Sequence, residues 1–408
     1  MTVWILEPRD PLIVRDGKPF GPNPGARASS LAFPFPSTTT GGLRTRAGLN
    51  TNGVFDIKKI NDVKKINVRG PLLVQLKSNT QDNQIEEWLV PAPLDVLLLD
   101  DEEKKQTICK QLVPLQTEKT YTNLEGLSLV GLQQRDPKKP SKKAPQYWYW
   151  KHFEHWLLSP PEAHGKPIPS ELGLNGPQRE YRTHVSIDAE GLVAKEGALF
   201  QTSGIEFTVT SGKQETHLNG AKRLALAMVV ENGTGLSIQE GLGSFGGERR
   251  TVVWRKSESS ILTNLLTCPE LIRKEIINQK ACRVILLTPA YFTEGYYPHY
   301  LLEKNSDVKP ELEAIAVQRP KVVSGWDLEN GRPKPSRRLA PAGTVLFLKI
   351  DNNTSPEAIE SWIESIWMKC ISDKAEDGSD SYCNDGFGLA VLGTWSGQPV
   401  EMEQEEQQ

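Results

Sequence analysis

The stretch Met1–Leu49 constrains the fold more than any other part of the chain, because a strand, a loop and a helix start follow each other within it. The apolar run Val3–Leu6 predicts a strand that begins almost at the first residue. A loop punctuated by proline and glycine comes next. A hydroxyl-rich and glycine-rich segment, Ser37–Gly42, then predicts the N-terminus of a helix.

This helix start has the composition of a site for a polyanion such as a nucleic-acid backbone. A helix N-terminus offers free backbone N–H groups and the positive end of the helix dipole, and two arginines one turn later add bidentate donors. The alternative, in which the hydroxyl groups only cap the helix and the arginines are solvated, stays open on the residues alone. The candidate anion-binding residues are Ser37, Thr38, Thr39, Gly41, Gly42, Arg44 and Arg46.

Four further motifs are spread over most of the chain. After the opening segment come Arg182–Asp188, Glu196–Phe200, Gly243–Arg250 and Gly386–Gly393. In these motifs the chain resembles the RAMP superfamily of CRISPR RNA-binding proteins, and within it the family of the third subunit of the type III-B effector, the Cmr complex. The resemblance implies an α+β fold, with two ferredoxin-like (RRM-like) halves that face each other and carry insertions.

The pattern of predicted elements agrees with two such halves. The last third of the chain has strands, then a helix that starts at Ser355 and Pro356, then a returning strand. This order is typical of a ferredoxin-like half in which one helix is lost or replaced. We predict an N-terminal domain over residues 1–260 with insertions at about 50–180, a C-terminal domain over 281–400, and a disordered acidic tail over 401–408.

Composition and charge limit the classes of function. The chain has 408 residues, a formal net charge of −3, a hydrophobic content of 38 % and a mean hydropathy of −0.44. No apolar run approaches the ~20 residues that span a bilayer, and no secretory leader is present. Five widely spaced cysteines suit reduced thiols and have no zinc-site spacing. We therefore expect a cytoplasmic protein that binds RNA through local patches, without membrane, metal or cofactor.

A glycine cluster before a pair of arginines forms a second candidate RNA-binding segment. Gly241, Gly243 and Gly246 satisfy the spacing GxGxxG, but the run that follows is typical of a strand rather than of the helix that dinucleotide binding requires. Glycines beside paired arginines favour a loop whose backbone approaches an anion, and a structural tight turn is the alternative. The candidates are Gly243, Gly246, Gly247, Arg249 and Arg250.

Near the C-terminus, the segment that begins with Gly386 and Gly388 partly matches the RNA-recognition signature. Asp385 replaces the basic residue of that signature, and leucines replace its stacking aromatic residues. Base stacking of the ordinary kind is therefore doubtful. The resemblance to RAMP proteins, whose C-terminal glycine-rich loop lies close to RNA, implies an RNA-binding role for Gly386 and Gly388.

His184 is the one histidine in a suggestive context. Some RAMP relatives cut RNA with a histidine as general acid or base, so a metal-independent endoribonuclease that uses His184 with Tyr181 or a lysine is one alternative. The other interpretation is a structural or RNA-contacting histidine at the start of a strand. No nucleophile arrangement, phosphate-binding Walker loop or acidic cluster stands out, and we predict no catalytic residue.

The sequence thus predicts a non-catalytic subunit of a type III-B effector that holds the 5′ repeat-derived tag of the CRISPR guide RNA. By resemblance, its partners would be the guide RNA, the large polymerase/cyclase-like subunit and the first backbone subunit. The alternatives are a RAMP endoribonuclease that processes CRISPR RNA, the equivalent subunit of another type III complex, and a small-molecule enzyme with a phosphate loop. The strand after Gly247 disfavours the last of these.

Overall fold

The computed structural model describes residues 1–15, 27–28, 30–77, 84–116, 126–158, 165–188, 190–209, 221–257, 265–303, 308–327, 331–379 and 381–402. The chain divides into two compact units. The first consists of Met1–Glu86, Gly176–Ser259 and Val322–Arg337, and the second of Glu87–Asn175, Ser260–Lys321 and Arg338–Gln408.

Strands make up most of the regular structure of the described residues. The first strands in chain order are β1 (Thr2–Pro8), β2 (Arg27–Ala28), β3 (Asn67–Leu76), β4 (Ile85–Pro91), β5 (Val96–Asp101), β6 (Gln106–Gln111), β7 (Val113–Gln116), β8 (Leu129–Gly131), β9 (Lys139–Pro140), β10 (Tyr147–Tyr149), β11 (Gly173–Leu174), β12 (Gln178–Ile187) and β13 (Ala194–Glu206). They are followed by β14 (Thr208–Val209), β15 (Lys222–Glu231), β16 (Gly241–Phe245), β17 (Arg250–Ser257), β18 (Ala281–Leu286), β19 (Glu311–Ala316), β20 (Lys321–Asp327), β21 (Arg332–Leu339), β22 (Val345–Lys349), β23 (Lys369–Cys370), β24 (Leu389–Thr394) and β25 (Val400–Glu401).

The helices are shorter and fewer. They are α1 (Pro36–Gly48), α2 (Ile60–Val63), α3 (Trp150–Leu158), α4 (Pro169–Leu172), α5 (Glu270–Gln279), α6 (His299–Glu303), α7 (Pro356–Ile366) and α8 (Ser381–Asp385), with 3-10 turns at Ile57–Lys59 and Gly247–Arg249. None of these helices is both long enough and apolar enough to cross a membrane.

The sheet of the first unit has the strand order of a ferredoxin-like fold. Its central strands lie in the order β3-β15-β1-β17, and each neighbouring pair is antiparallel. In chain order this is second, third, first and fourth, which is the arrangement that a βαββαβ unit produces. The strand predicted at Val3–Leu6 is confirmed as β1, whose residues Val3 to Leu6 are almost fully buried.

Helix α1 connects β1 to β3 in this half. It begins at Pro36, one residue before the predicted hydroxyl run, and Phe35 is its N-cap. Pro36 suits the first helical position because its missing N–H would have no partner there. One face packs on the sheet, and a side chain at Gly42 would meet the ring of Phe245 at 3.0 Å. The second helix of the half is replaced by an irregular segment with β16 and a 3-10 turn.

The second unit contains the other ferredoxin-like half. Its strands lie in the order β19-β22-β18-β24, again antiparallel throughout. The five-residue helix α6 occupies the place of the first helix, and α7 is the second. Ser355 caps α7 by accepting a hydrogen bond from the N–H of Ala358, as its sequence predicts. The predicted α+β class with two ferredoxin-like halves is confirmed.

A buried ion pair ties three elements of the second unit together. The guanidinium of Arg283 on β18 is fully buried and pairs with Asp95, which is equally buried. Arg283 also donates to the carbonyls of Thr394 on β24 and of Trp156 on α3, at 2.8 and 2.7 Å. The indole of Trp156 in turn donates to Asp95 at 2.9 Å. This network fixes α3 against the sheet.

Candidate nucleic-acid interface

Contacts within the protein occupy part of the predicted polyanion site on α1. Arg46 is only 8 % exposed. Its Nε donates to the carbonyl of Gln239 at 2.7 Å, and its two terminal nitrogens donate to the carbonyls of Glu240 and Leu242 at 3.0 and 3.2 Å. The guanidinium also lies 5.7 Å from the ring centroid of Trp254. Arg46 therefore holds the glycine segment in place, and its donors that were predicted to meet phosphate are directed at these carbonyls.

Arg44 also has a local partner. Its Nε and one terminal nitrogen donate to the carbonyl of Ile66, at 3.3 and 2.9 Å. The side chain is only partly buried. The carbonyl of Ile66 thus anchors one edge of the Arg44 guanidinium.

The hydroxyl-rich start of α1 divides into a buried and an accessible side. Thr39 is fully buried, and its hydroxyl donates to the carbonyl of Pro36 at 2.9 Å, which removes it from the predicted RNA-binding set. Ser37 and Thr38 remain partly exposed. Gly41 is exposed and has open space where a side chain would stand.

Gly42 is explained by packing. Its missing side chain lets the helix approach the aromatic rings beneath it, at 3.0 Å from Phe245 and 3.3 Å from Trp254. Gly42 therefore belongs to the interior side of α1, and its predicted contact with RNA is not supported by its position.

The glycine cluster that follows β15 packs closely against the rest of the first unit. A side chain at Gly243 would collide with the guanidinium of Arg46. Gly246 has φ +73°, and a Cβ there would lie 2.5 Å from the carbonyl oxygen of Ile13. Gly247 donates its N–H to the same oxygen at 2.7 Å. The positions of the three glycines agree with the tight-turn interpretation. The positive charge of this segment lies on its arginines.

The two arginines behind the glycines differ in accessibility. Arg250 has 15 % of its side chain exposed and pairs with Glu248 at 2.8 Å. Arg249 is exposed, has φ +49° and makes no ion pair with the side chains that the structure describes. Arg249 is therefore the available cation of the predicted pair.

Next to this segment lies a cluster that the sequence did not reveal. Glu7 on β1 is only 5 % exposed, and three arginines surround it: Arg9 at 3.4 Å, Arg255 at 3.8 Å and Arg223 in direct contact. The side chains of these arginines keep 46, 33 and 31 % of their surface exposed. One buried carboxylate thus orients three cationic groups that remain open to solvent.

Asp10 extends the cluster toward the glycine segment. Its carboxylate accepts the N–H of Thr251 at 2.9 Å. This hydrogen bond, and then the positive charges of Arg250 and Arg182, hold the pKa of Asp10 below its usual range. We call the whole group the arginine network; its cations are Arg9, Arg182, Arg223, Arg249, Arg250 and Arg255, and its carboxylates are Glu7, Asp10, Glu180 and Glu248.

The arginine network has a net positive charge in a chain whose net charge is negative. Its members come from four strands and two connecting segments, and the pairing of β15, β1 and β17 brings most of them together. The one local feature of the sequence that points to this network is a charged residue on the apolar side of β1. Glu7 follows Val3 and Ile5 on the same side of the strand.

His184 lies on the hairpin of β12 and β13. Its ring stacks on Phe200, with centroids 5.1 Å apart, and its Nε2 lies 2.9 Å from the hydroxyl oxygen of Thr202. Tyr181 pairs with Ser203 in the same ladder. Because Tyr181 and His184 are three residues apart in one strand, their side chains point to opposite faces. The pairing of His184 with Tyr181 in a nuclease site is thus contradicted by the hairpin.

The C-terminal glycine loop is an internal turn of the second unit. Gly386 and Gly388 are both buried. The carbonyl of Gly386 accepts the hydroxyl of Thr288 at 2.7 Å, and the N–H of Gly388 donates to Pro289 at 2.8 Å. A side chain at Gly388 would lie 2.8 Å from the backbone nitrogen of Ser372. These contacts give both glycines a structural role in the turn, and their predicted RNA-binding role stays a prediction.

Three of the cysteine thiols are buried. Burial raises the pKa of the Cys109 and Cys268 thiols to about 12 and that of Cys282 further still, so these sulfurs stay protonated. Within the described ranges, no three His, Cys, Asp or Glu side chains lie close enough together to hold a metal ion.

Comparison with known proteins gives a family and several related folds. The family model described as CRISPR-associated protein (Cas_Cmr3) matches residues 4–395. No curated protein matches the chain.

Three solved structures illustrate the related folds. A chain of the type III-B Cmr-beta complex bound to cognate target RNA and AMPPnP is similar at 15 % identity, over 85 % of this chain and 86 % of that one, with a TM-score of 0.45. A chain of Cmr-beta bound to cognate target RNA gives 16 % identity over 85 and 86 %, with a TM-score of 0.45. A chain of the Csm3-Csm4 subcomplex of the type III-A interference complex gives 10 % identity over 97 and 99 %, with a TM-score of 0.35.

Proposed function

The chain belongs to the Cas_Cmr3 family of CRISPR-associated proteins, the family of the third subunit of the type III-B effector, and we propose that it is a non-catalytic RNA-binding subunit of such a complex. Its RNA is the CRISPR guide, which it grips at the 5′ repeat-derived tag. Its protein neighbours are the large polymerase/cyclase-like subunit and the first backbone subunit. It works in antiviral defence within the cytoplasm.

The arginine network is the observation that carries this proposal. Arginine forms bidentate hydrogen bonds with phosphate and keeps its charge at every physiological pH. The buried carboxylate of Glu7 orients Arg9, Arg223 and Arg255 before any ligand arrives, so less side-chain entropy is lost on binding. In guide-RNA complexes the protein grips backbone and shape, while base pairing supplies sequence choice on the target.

The accessible part of α1 supplies the second half of the proposed surface. Ser37, Thr38 and Gly41 offer small polar groups at its start, and Arg44 keeps a charge one turn later. Arg46 and the glycine cluster join this helix to the segment that carries Arg249. An RNA strand that follows this surface meets cationic side chains on both sides of the glycine segment.

A direct binding experiment tests the proposal. A labelled RNA with the 5′ repeat-derived tag and an RNA of equal length with a scrambled tag are titrated with the purified chain and followed by fluorescence anisotropy. We expect both to bind, the tagged RNA more tightly, because unstacked tag bases add edge contacts to the phosphate contacts. Equal affinity for the two RNAs contradicts the tag assignment, and no binding contradicts the RNA-binding role.

The same preparation separates a binding subunit from a ribonuclease. The tagged RNA precursor is incubated with the protein in the presence of Mg²⁺, of Mn²⁺ or of EDTA, and the products are resolved on a gel. We expect intact RNA in all three conditions. Site-specific cleavage that survives EDTA and disappears in His184→Ala would favour the endoribonuclease, since loss of one general acid or base typically costs ~10²–10⁴-fold in rate.

A further inference from the structure

The chain contains a second basic segment, a β-hairpin whose residues are not members of the arginine network. Strands β20 (Lys321–Asp327) and β21 (Arg332–Leu339) pair only with each other in the described residues. In sequence they connect β19 to β22, the second and third strands of the C-terminal ferredoxin-like half. Most residues of this hairpin belong to the first compact unit.

The charge of this segment differs sharply from that of the whole chain. Between Val317 and Leu339 there are six basic residues and two acidic ones, in a protein whose net charge is −3. The six are Arg319, Lys321, Arg332, Lys334, Arg337 and Arg338. Such a local excess is the electrostatic footprint of a partner that carries many negative charges.

The cationic groups are also available. Arg319, Lys321, Arg332, Lys334 and Arg338 are all exposed. None of the five forms an ion pair or hydrogen bond with the side chains that the structure describes.

Strand geometry arranges these charges in a row. Residues 332, 334, 336 and 338 of β21 share one face because successive side chains alternate. Lys334 lies over Gly325 of β20, where a Cβ would stand 3.5 Å from its side chain, so Lys321 shares that face by the same alternation. Alternate residues along a strand are about 6.6 Å apart, close to the separation of successive phosphates along an extended RNA strand.

Two prolines in β21 exclude the commonest way in which a hairpin binds a protein strand. Pro333 and Pro335 have no N–H, and proline in a strand sits where its nitrogen faces away from the paired neighbour. The outer edge of β21 therefore lacks two donors that an added strand would need. Recognition through charged side chains remains as the chemistry that this hairpin offers.

We propose that the β20–β21 hairpin is a second RNA site, which binds the phosphate backbone of a single-stranded RNA segment through Lys321, Arg332, Lys334 and Arg338. This inference rests on the proposed RNA-binding function and adds a sequence-independent contact to it. The hairpin binds any RNA sequence equally, unlike a surface that reads the tag.

The test uses the full chain and labelled oligouridine, because a phosphate site needs no particular base. The variant K321Q/R332Q/K334Q/R338Q is compared with wild type by anisotropy at several salt concentrations. Each phosphate contact to single-stranded RNA contributes about 0.7 to the slope of log K against log salt, so four lost contacts lower the slope by about 3. We expect the same loss of slope with tagged RNA, while the preference for the tag over the scrambled sequence persists.

Two controls make this result specific. K58Q/K104Q/K105Q/K274Q removes four exposed charges elsewhere and should leave the slope within about 1 of wild type, since no phosphate contact is expected at those positions. The charge-preserving variant K321R/R332K/K334R/R338K should retain oligouridine binding, because a phosphate backbone is recognised here by charge. Thermal unfolding of all variants checks that the exposed hairpin is still folded.

The outcomes separate this inference from the proposed function. Wild type that binds RNA, together with an unchanged slope in the glutamine variant, overturns the hairpin site alone. An unchanged slope combined with loss of assembly into the effector assigns the hairpin to an acidic protein surface and also overturns it. Wild type that binds neither tagged RNA nor oligouridine overturns both proposals.

Discussion

At the scale of single residues, arginines that look alike in the sequence have opposite roles. Arg46 donates hydrogen bonds to three carbonyls of one segment, whereas Arg249 projects into solvent from a strained backbone position. A buried guanidinium that satisfies carbonyls is a structural element, and burial lowers its pKa. An exposed one is available to a ligand.

Arg46→Ala should reduce the free energy of unfolding by about 2–4 kcal/mol. The variant leaves three carbonyls without a donor, and each hydrogen bond to a charged group is worth about 1.5–3 kcal/mol in a cooperative set that does not simply add. Chemical denaturation measures the loss. Arg249→Ala is the matched control and should change stability by less than about 0.5 kcal/mol. Equal stability of the two variants would contradict the structural role of Arg46.

His299 should make stability depend on pH. Its Nδ1 lies 2.9 Å from Glu303 and its Nε2 lies 3.3 Å from Glu294. Burial alone would lower its pKa, but the hydrogen bond to Glu303 and the nearby carboxylates of Asp373 and Glu294 outweigh this and raise it. The protonated ring is therefore favoured in the folded state.

A raised pKa contributes stability below the unfolded value of about 6.5, and this contribution disappears as the pH rises through the folded value. We expect the stability difference between wild type and His299→Gln to be largest in mild acid and to shrink toward alkaline pH. Denaturation at several pH values measures the difference, and an NMR titration of the His299 ring gives the folded pKa directly. A folded pKa at or below 6.5 would refute this prediction.

At the scale of secondary structure, close approach between elements explains residues that local rules leave open. Helix α1 contains adjacent glycines, and both weaken it as an isolated helix. Gly41 faces open space, whereas Gly42 lies against Phe245 and Trp254. The same residue type is thus neutral for packing at one position and required by packing at the next.

Gly41→Ala should stabilise the protein by about 0.5–1 kcal/mol, because alanine loses less backbone entropy in a helix. Gly42→Ala gains the same propensity but forces the rings at 3.0 and 3.3 Å to shift, and we expect a net loss of stability. Thermal unfolding of the two variants side by side gives the comparison. A Gly42→Ala variant as stable as Gly41→Ala would show that the helix can move away from the sheet at no cost.

The ion pair between Arg283 and Asp95 connects elements of the second unit in a different way. Removing one partner leaves an uncompensated buried charge, and Asp95→Ala should cost about 3–5 kcal/mol. The double variant D95A/R283M should lose less than the sum of the single variants, because no charge is left behind. A double-mutant cycle measured by denaturation tests this, and additive losses would contradict a direct coupling.

At the scale of the whole molecule, a chain with a negative net charge concentrates positive charge in local surfaces. The arginine network and the basic hairpin are two such surfaces, and their carboxylate content differs. Carboxylates pair with every arginine of the network except Arg249, whereas the five available cations of the hairpin lack ion pairs with the described side chains. A surface of oriented cations favours a defined path of the RNA. A row of cations without ion pairs favours contact with the phosphate backbone of RNA of any sequence.

Neutralising two exposed members of the network should weaken RNA binding through salt-sensitive contacts. R9Q/R249Q removes two cations and leaves the ion pair between Arg223 and Glu7 in place, and should lower the salt slope for tagged RNA by about 1 to 1.5. Anisotropy across a salt series measures the slope, with K104Q/K105Q as the control of equal charge. A slope equal to wild type in R9Q/R249Q would remove the network from the RNA path.

The sequence by itself determined the features that depend on near neighbours. The apolar run of Val3–Leu6 specified β1, and the cap at Ser355 with Pro356 specified the start of α7. The order of strands and helices agreed with the α+β class of two ferredoxin-like halves that the resemblance implied. Periodicity, caps and turns act over a few residues, so these features can be read along the chain.

Only the tertiary structure decided which candidate residues remain accessible. Arg46 meets Gln239 and Glu240 across more than 190 residues of sequence, and Gly388 donates to Pro289 and lies against Ser372. The exposure and partners of a side chain depend on which strands pair and in which register, and this is set by long-range packing. The sequence supplied the chemical groups, and the fold determined which of them face solvent.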